Sequence, residues 1–63
     1  MNIQINDKVK VIRGSDFGRI GTVFRIFDDE VDSVAVTYDE TRTDIGVYPM
    51  KHLERVDDSE ENL

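Results

Sequence analysis

The sequence predicts an all-β protein: a small, strongly bent barrel of five strands, with one 3-10 turn and a flexible acidic C-terminal tail. Three observations carry that prediction. Apolar and polar residues alternate along much of the chain, the period of a strand with one buried face. No segment holds the three to four apolar residues per two turns that an amphipathic helix needs. Glycine, proline and acidic turn clusters cut the chain into pieces of strand length.

The elements follow in order. Ile3, Ile5, Val9 and Val11 share one parity, with Gln4, Asn6, Lys8 and Lys10 between them, and the spacing predicts a first strand ending at Arg13-Gly14. Gly14, Gly18 and Gly21 then fall within eight residues. Glycine is chosen where φ is positive or where backbones approach closely, so this run predicts a tight, shaped loop. Ile20 to Phe27 is rich in β-branched and aromatic residues and reads as the second strand. Both its faces carry apolar groups, Ile20, Phe24 and Ile26 on one and Val23 and Phe27 on the other, as in a bent strand that serves two sheets.

Asp28 to Asp32 is a polar turn, and Ser33 to Tyr38 alternates as a third strand. Asp39 to Asp44 is a second polar turn, and Ile45 to Tyr48 a fourth strand, with a bulge expected at Gly46. Pro49 has no N–H to donate and stops the ladder. The stretch PMKHL is too short for an α-helix and predicts one 3-10 turn, with Glu54 to Val56 as the closing strand. The last residues, DDSEENL, hold too little apolar surface to order themselves. The expected organisation is one barrel domain over 1–56 and an acidic tail over 57–63. Five short strands in so few residues fit a small barrel.

Composition narrows the function. A chain of 63 residues is one domain, and its apolar side chains are needed for the core, leaving little room for a deep substrate pocket. It has no cysteine, so neither a disulfide framework nor a thiolate metal site is expected. The N-terminus MNIQIND lacks the basic-then-apolar pattern of a signal peptide, and no apolar run approaches the ~20 residues of a membrane helix. The expected compartment is the cytoplasm, and no membrane partner is expected. The net charge is −6, unevenly spread. Residues 1–27 carry five basic and two acidic side chains, and residues 28–63 carry three basic and twelve acidic ones.

The stretch Asp7 to Ile26 resembles a KOW motif. The matching residues are Asp7, the alternating Val9 and Val11, Gly14, the loop aromatic Phe17, Gly18, Gly21 and Val23. The remainder, with a Val-rich strand (VAVTY), a short strand, PMKHL and a closing strand, is similar to the rest of an SH3-like barrel. There is a weaker similarity to PsaE-type SH3-like subunits, whose loop has a Tyr-Trp pair that this chain lacks. The resemblance implies a binding module. KOW domains of ribosomal proteins and of NusG-type transcription factors contact RNA, ribosomal proteins or RNA polymerase. RNA-binding members are usually basic. The acidic balance here disfavours RNA and favours a protein partner: RNA polymerase, the ribosome or a host factor.

The candidate partner-binding residues are Lys8, Lys10, Arg13, Ser15, Asp16, Phe17, Arg19 and Arg25. Phe17 has two readings: a lid folded over the barrel end, or an exposed anchor that stacks on a base or fills a partner's pocket. The basic residues read either as a solvated strand face whose lysines guard an edge or as a stripe beside Phe17. A second candidate surface is acidic: Asp28, Asp29, Glu30, Asp32, Asp39 and Glu40. These residues lack the glycine and ligand spacing of a calcium loop, and a polar turn is the simpler reading. As a group they would suit an inhibitor that imitates nucleic acid, of the kind a phage or mobile element makes. His52 stands alone, without a cysteine or a nucleophile motif. Gly14–Gly18 lacks the Gly-Lys-Ser/Thr ending of a phosphate loop. The expectation is therefore a non-catalytic protein with no catalytic residues, metal, cofactor or small-molecule substrate. It would be a docking module, with a nucleic-acid mimic or a structural accessory subunit as alternatives.

Overall fold

The computed structural model describes residues 3–56; the expected tail, 57–63, lies outside them. The β-branched runs form strands β1 (Lys8–Val11), β2 (Ile20–Ile26), β3 (Ser33–Thr37) and β4 (Ile45–Pro49). A 3-10 turn (Met50–His52) leads into β5 (Leu53–Arg55). All pairings are antiparallel, and the sheet order is β4-β3-β2-β1-β5. The strands belong to one sheet, so its apolar face must be buried by curling the sheet on itself. The core agrees with that: Val9 and Val11 from β1, Val23 from β2, Val34 and Val36 from β3 and Leu53 from β5 are fully buried in one cluster. Ile3 joins them, and Tyr38, Tyr48 and Met50 pack against the cluster. No ladder joins β4 to β5 among the described residues, so these strands are the two sheet edges.

Three local features differ from the alternation reading. The ladder begins at Lys8, not Ile3. Asn6 takes a φ of 77°, a left-handed conformation that asparagine tolerates better than most residues. The Asp7 N–H donates to the Gln4 carbonyl (3.0 Å), and the Gln4 N–H donates to Asp7 Oδ2 (2.8 Å). This turn breaks the parity: Ile3 is buried and Ile5 is 48% exposed.

The bulge lies in β2, where Val23 faces Val36 and Arg25 faces Ala35, so Phe24 is the extra residue. The extra residue shifts the alternation, so Ile26, opposite Val34, falls on the same face as Val23, opposite Val36. Gly46 instead sits in unbroken register opposite Val36. Its glycine identity has another cause, because a Cβ there would meet the Tyr48 ring and hydroxyl. Finally, β5 starts one residue early, with Leu53 opposite Val11. The 3-10 turn stands where PMKHL placed it, between an extended Pro49 and Leu53, whose N–H bonds to the Met50 carbonyl.

The antiparallel order sorts the loops by end. The glycine loop (residues 12–19) and the β3–β4 loop (38–44) share one end of the sheet, and the β2–β3 turn (27–32) lies at the other.

Candidate functional site

The glycine loop is shaped by its own main chain. Gly14 and Gly18 have φ of 90° and 95°, and a Cβ at either would meet nothing within 4 Å. The backbone conformation, not crowding, therefore requires glycine there. The Phe17 N–H donates to the Gly14 carbonyl (3.2 Å), the Arg19 N–H to Asp16 (3.0 Å) and the Gly18 N–H to Val11 (2.8 Å). Gly21 is a different case: a Cβ would come within 2.5 Å of Val36 and 2.7 Å of the Thr37 carbonyl, so this glycine lets β2 and β3 approach.

Phe17 is 66% exposed at the loop tip, the largest exposure among the big apolar side chains of the described residues. Of its two readings, the structure shows the exposed one. Its neighbours are tied down. The Tyr48 hydroxyl donates to Asp16 Oδ2 at 2.6 Å. The Tyr38 and Tyr48 hydroxyls lie 2.5 Å apart. Since Tyr48 gives its one proton to Asp16, Tyr38 is the donor to the Tyr48 oxygen. Burial first, then the bonds to Asp16 and Tyr38, push the Tyr48 phenol well above its ordinary pKa, so it stays a donor. The missing side chain at Gly46 gives the Tyr48 ring its seat.

Arg19 completes the brace. One guanidinium nitrogen lies 2.9 Å from Asp44 Oδ2, and its carbon lies 3.6 Å from the Tyr38 ring centroid. The Asp44 bond holds the Arg19 pKa above its usual value. Asp16, Tyr48, Tyr38, Arg19 and Asp44 thus form a continuous chain of contacts that fixes the glycine loop to the β3–β4 side of the sheet.

The other proposed partner-binding residues are dispersed. Arg13 and Ser15 are exposed in the loop beside Phe17. Lys10, half-buried, pairs across from Ile20 near the loop, whereas Lys8 sits at the far end of β1 opposite Thr22. Arg25 stacks on Phe27, with 5.0 Å from its guanidinium carbon to the ring centroid. It lies about 16 Å along β2 from Ile20, by strand rise, and does not flank Phe17.

The acidic residues do not form one patch. Asp28, Asp29, Glu30 and Asp32 lie in the β2–β3 turn, while Asp39 and Glu40 lie past the opposite end of β3. Two of them build their own turns. Asp29 accepts the N–H of Ser33 (2.9 Å) and of Val31 (3.2 Å), and the Ser33 bond leads in holding its pKa low. Asp39 accepts the Thr43 hydroxyl (2.6 Å), the Thr43 N–H (3.1 Å) and the Thr41 hydroxyl (3.2 Å). Led by the Thr43 hydroxyl, and with the Thr43 and Asp44 N–H groups and the Thr37 hydroxyl behind it, hydrogen bonding pulls the Asp39 pKa down to about 2.

A groove of about 450 Å³ also opens on the outer sheet face, floored by Ile20, Thr22 and Phe24. The Arg42 guanidinium covers Phe24 at 5.2 Å. Among the described residues, no group of three or more His, Cys, Asp or Glu is placed to hold a metal ion. No helix among them is long and apolar enough to cross a membrane.

Sequence reasoning singled out Asp16, Phe17 and Arg19 but missed Tyr38, Tyr48 and Asp44. One signal was available: a glycine two positions before a tyrosine on one strand leaves a bare face that the ring can cover. No protein-family model, curated protein or solved structure matches this chain.

Proposed function

We propose that the chain is a non-catalytic docking module of the KOW type, built as an SH3-like barrel and working in the cytoplasm. It seats Phe17 in an apolar pocket of a protein of the transcription or translation machinery: RNA polymerase, the ribosome or a host factor acting on them. The observation that carries this reading is the braced loop. An aromatic ring held out on a fixed loop loses little conformational freedom on binding, which is how preorganised anchors gain affinity. Aromatic residues that fill a partner's pocket also contribute a large share of binding energy.

Charge supports a protein over RNA. Binding to phosphate requires several lysines or arginines at one place. Here Arg19 is engaged by Asp44 and Tyr38, and Arg25 stands at the other end of its strand. Arg13 is the remaining arginine of the glycine loop.

The test is capture from native lysate with and without nuclease. The proposal expects one dominant partner whose recovery is insensitive to nuclease and falls when Phe17→Ala replaces the wild type. Capture that vanishes with nuclease would assign the surface to RNA and overturn it.

A further inference from the structure

The two edges of the sheet are unlike each other. On β5, Glu54 and Arg55 are exposed, and Arg55 approaches Asp7 at 3.7 Å. Charged side chains of this kind discourage edge-to-edge pairing. Strand β4 reads Ile-Gly-Val-Tyr-Pro and carries no charge. Its outward side chains, Ile45 and Val47, are 48% and 56% exposed.

The direction of the β4 main-chain groups follows from the register. The Tyr38 N–H bonds to the Asp44 carbonyl (2.8 Å), so this opposed pair is hydrogen-bonded. Antiparallel ladders alternate, so Gly46 with Val36 and Tyr48 with Val34 are the next bonded pairs. Ile45 and Val47 therefore turn their N–H and C=O groups away from β3, toward the open edge. Pro49, opposite Ser33, also faces the edge but has no N–H. Beyond the other end of β4, the Thr43 N–H is already bonded to Asp39. The edge that can pair is thus short and bounded on both sides.

We propose that β4 is a self-pairing edge, and that two copies of this chain join antiparallel about a twofold axis through Gly46. The register is self-complementary. Ile45 of one copy stands opposite Val47 of the other, and each such pair exchanges two N–H···O=C bonds. The axis generates the second pair, giving four bonds in all. Ile45 and Val47 of the two copies then lie side by side on the outer face, as cross-strand apolar pairs. Gly46 meets Gly46 in the close, non-bonded position at the axis. The contact is isologous and closes, so it yields a dimer and not a fibre. An edge this short buries less than the ~1,200 Å² of a standard interface, so the dimer is weak and forms with rising concentration. Each copy carries a net charge of −6, so salt screens the repulsion and favours the dimer.

The experiment is sedimentation velocity on the full chain, at concentrations rising to about 1 mM, combined with amide hydrogen exchange. The expected mass moves from that of the 7.3 kDa monomer toward twice that value, faster at high salt. The Ile45 and Val47 amides slow with concentration, while the Gly46 amide, already bonded to β3, does not change. Val47→Lys, at an outward position, restores the monomer with an unchanged circular dichroism spectrum. A mass that stays monomeric throughout overturns the proposal. So does a dimer that weakens with salt, or one in which the Ile45 and Val47 amides do not respond. Protection of those two amides only when a captured partner is added would assign the edge to an extended peptide instead.

Discussion

Replacing Tyr48 with phenylalanine isolates the brace, because the ring that fills the space over Gly46 stays and only the hydroxyl is lost. That hydroxyl donates to the Asp16 carboxylate and accepts from Tyr38. A hydrogen bond to a charged group contributes about 1.5–3 kcal/mol and a neutral one about 1 kcal/mol. The site is half-buried, so water replaces part of both, and the expected loss is about 2 kcal/mol. For a domain of this size that corresponds to a fall in Tm of roughly 10 °C. Circular dichroism melts of the wild type, Tyr48→Phe, Asp16→Ala and the double variant form a cycle that separates the Asp16–Tyr48 coupling from other effects. The expected coupling is about 1–2 kcal/mol. Amide exchange in the glycine loop should quicken in both single variants, because the same contact holds the loop. A Tm within about 2 °C of the wild type, with additive effects in the double variant, would refute the brace.

Other outcomes follow from the same contacts. Gly46→Ala should destabilise by about 1–3 kcal/mol through overpacking against the Tyr48 ring, read by denaturant unfolding. The Asp39 carboxyl ionises at about 2 in the folded chain against 3.8 ordinarily. A depressed folded pKa contributes stability that is fully present above 3.8 and is lost as pH falls toward about 2. Unfolding curves across that acid range should show the loss in the wild type, and Asp39→Asn should flatten it. Phe17→Ala should leave stability within about 0.5 kcal/mol of the wild type, because an exposed side chain makes few folded-state contacts.

Much of the fold is written in local pattern. The alternating valines of β1 and β3 specify which face is buried, and they are the centre of the core. Pro49 and the short PMKHL stretch mark the 3-10 turn. The parity of Ile5 was not legible, because the turn at Asn6 depends on a left-handed asparagine that also hydrogen-bonds to Val23 on β2. The bulge was expected at Gly46, since glycine often marks one. It falls at Phe24 because the bend is set by how β2 crosses β3, which is a tertiary matter.

At the candidate site, the glycines announced the loop and its aromatic tip. The brace was not readable, because Asp16 and Tyr48 are distant in sequence and meet only once the sheet curls. The role of Arg19 changed for the same reason. In sequence it is one of a basic set; in the fold it is held by Asp44 and Tyr38, and Arg25 is carried to the other end of the sheet.

The affinity of Phe17→Ala for the captured partner, measured by titration beside the wild type, bears most directly on the braced loop as a docking anchor. The expected outcome is a loss of at least about tenfold, since anchors of this kind contribute roughly 2 kcal/mol or more, with the folded state intact. Equal affinity of the two proteins for that partner would contradict it.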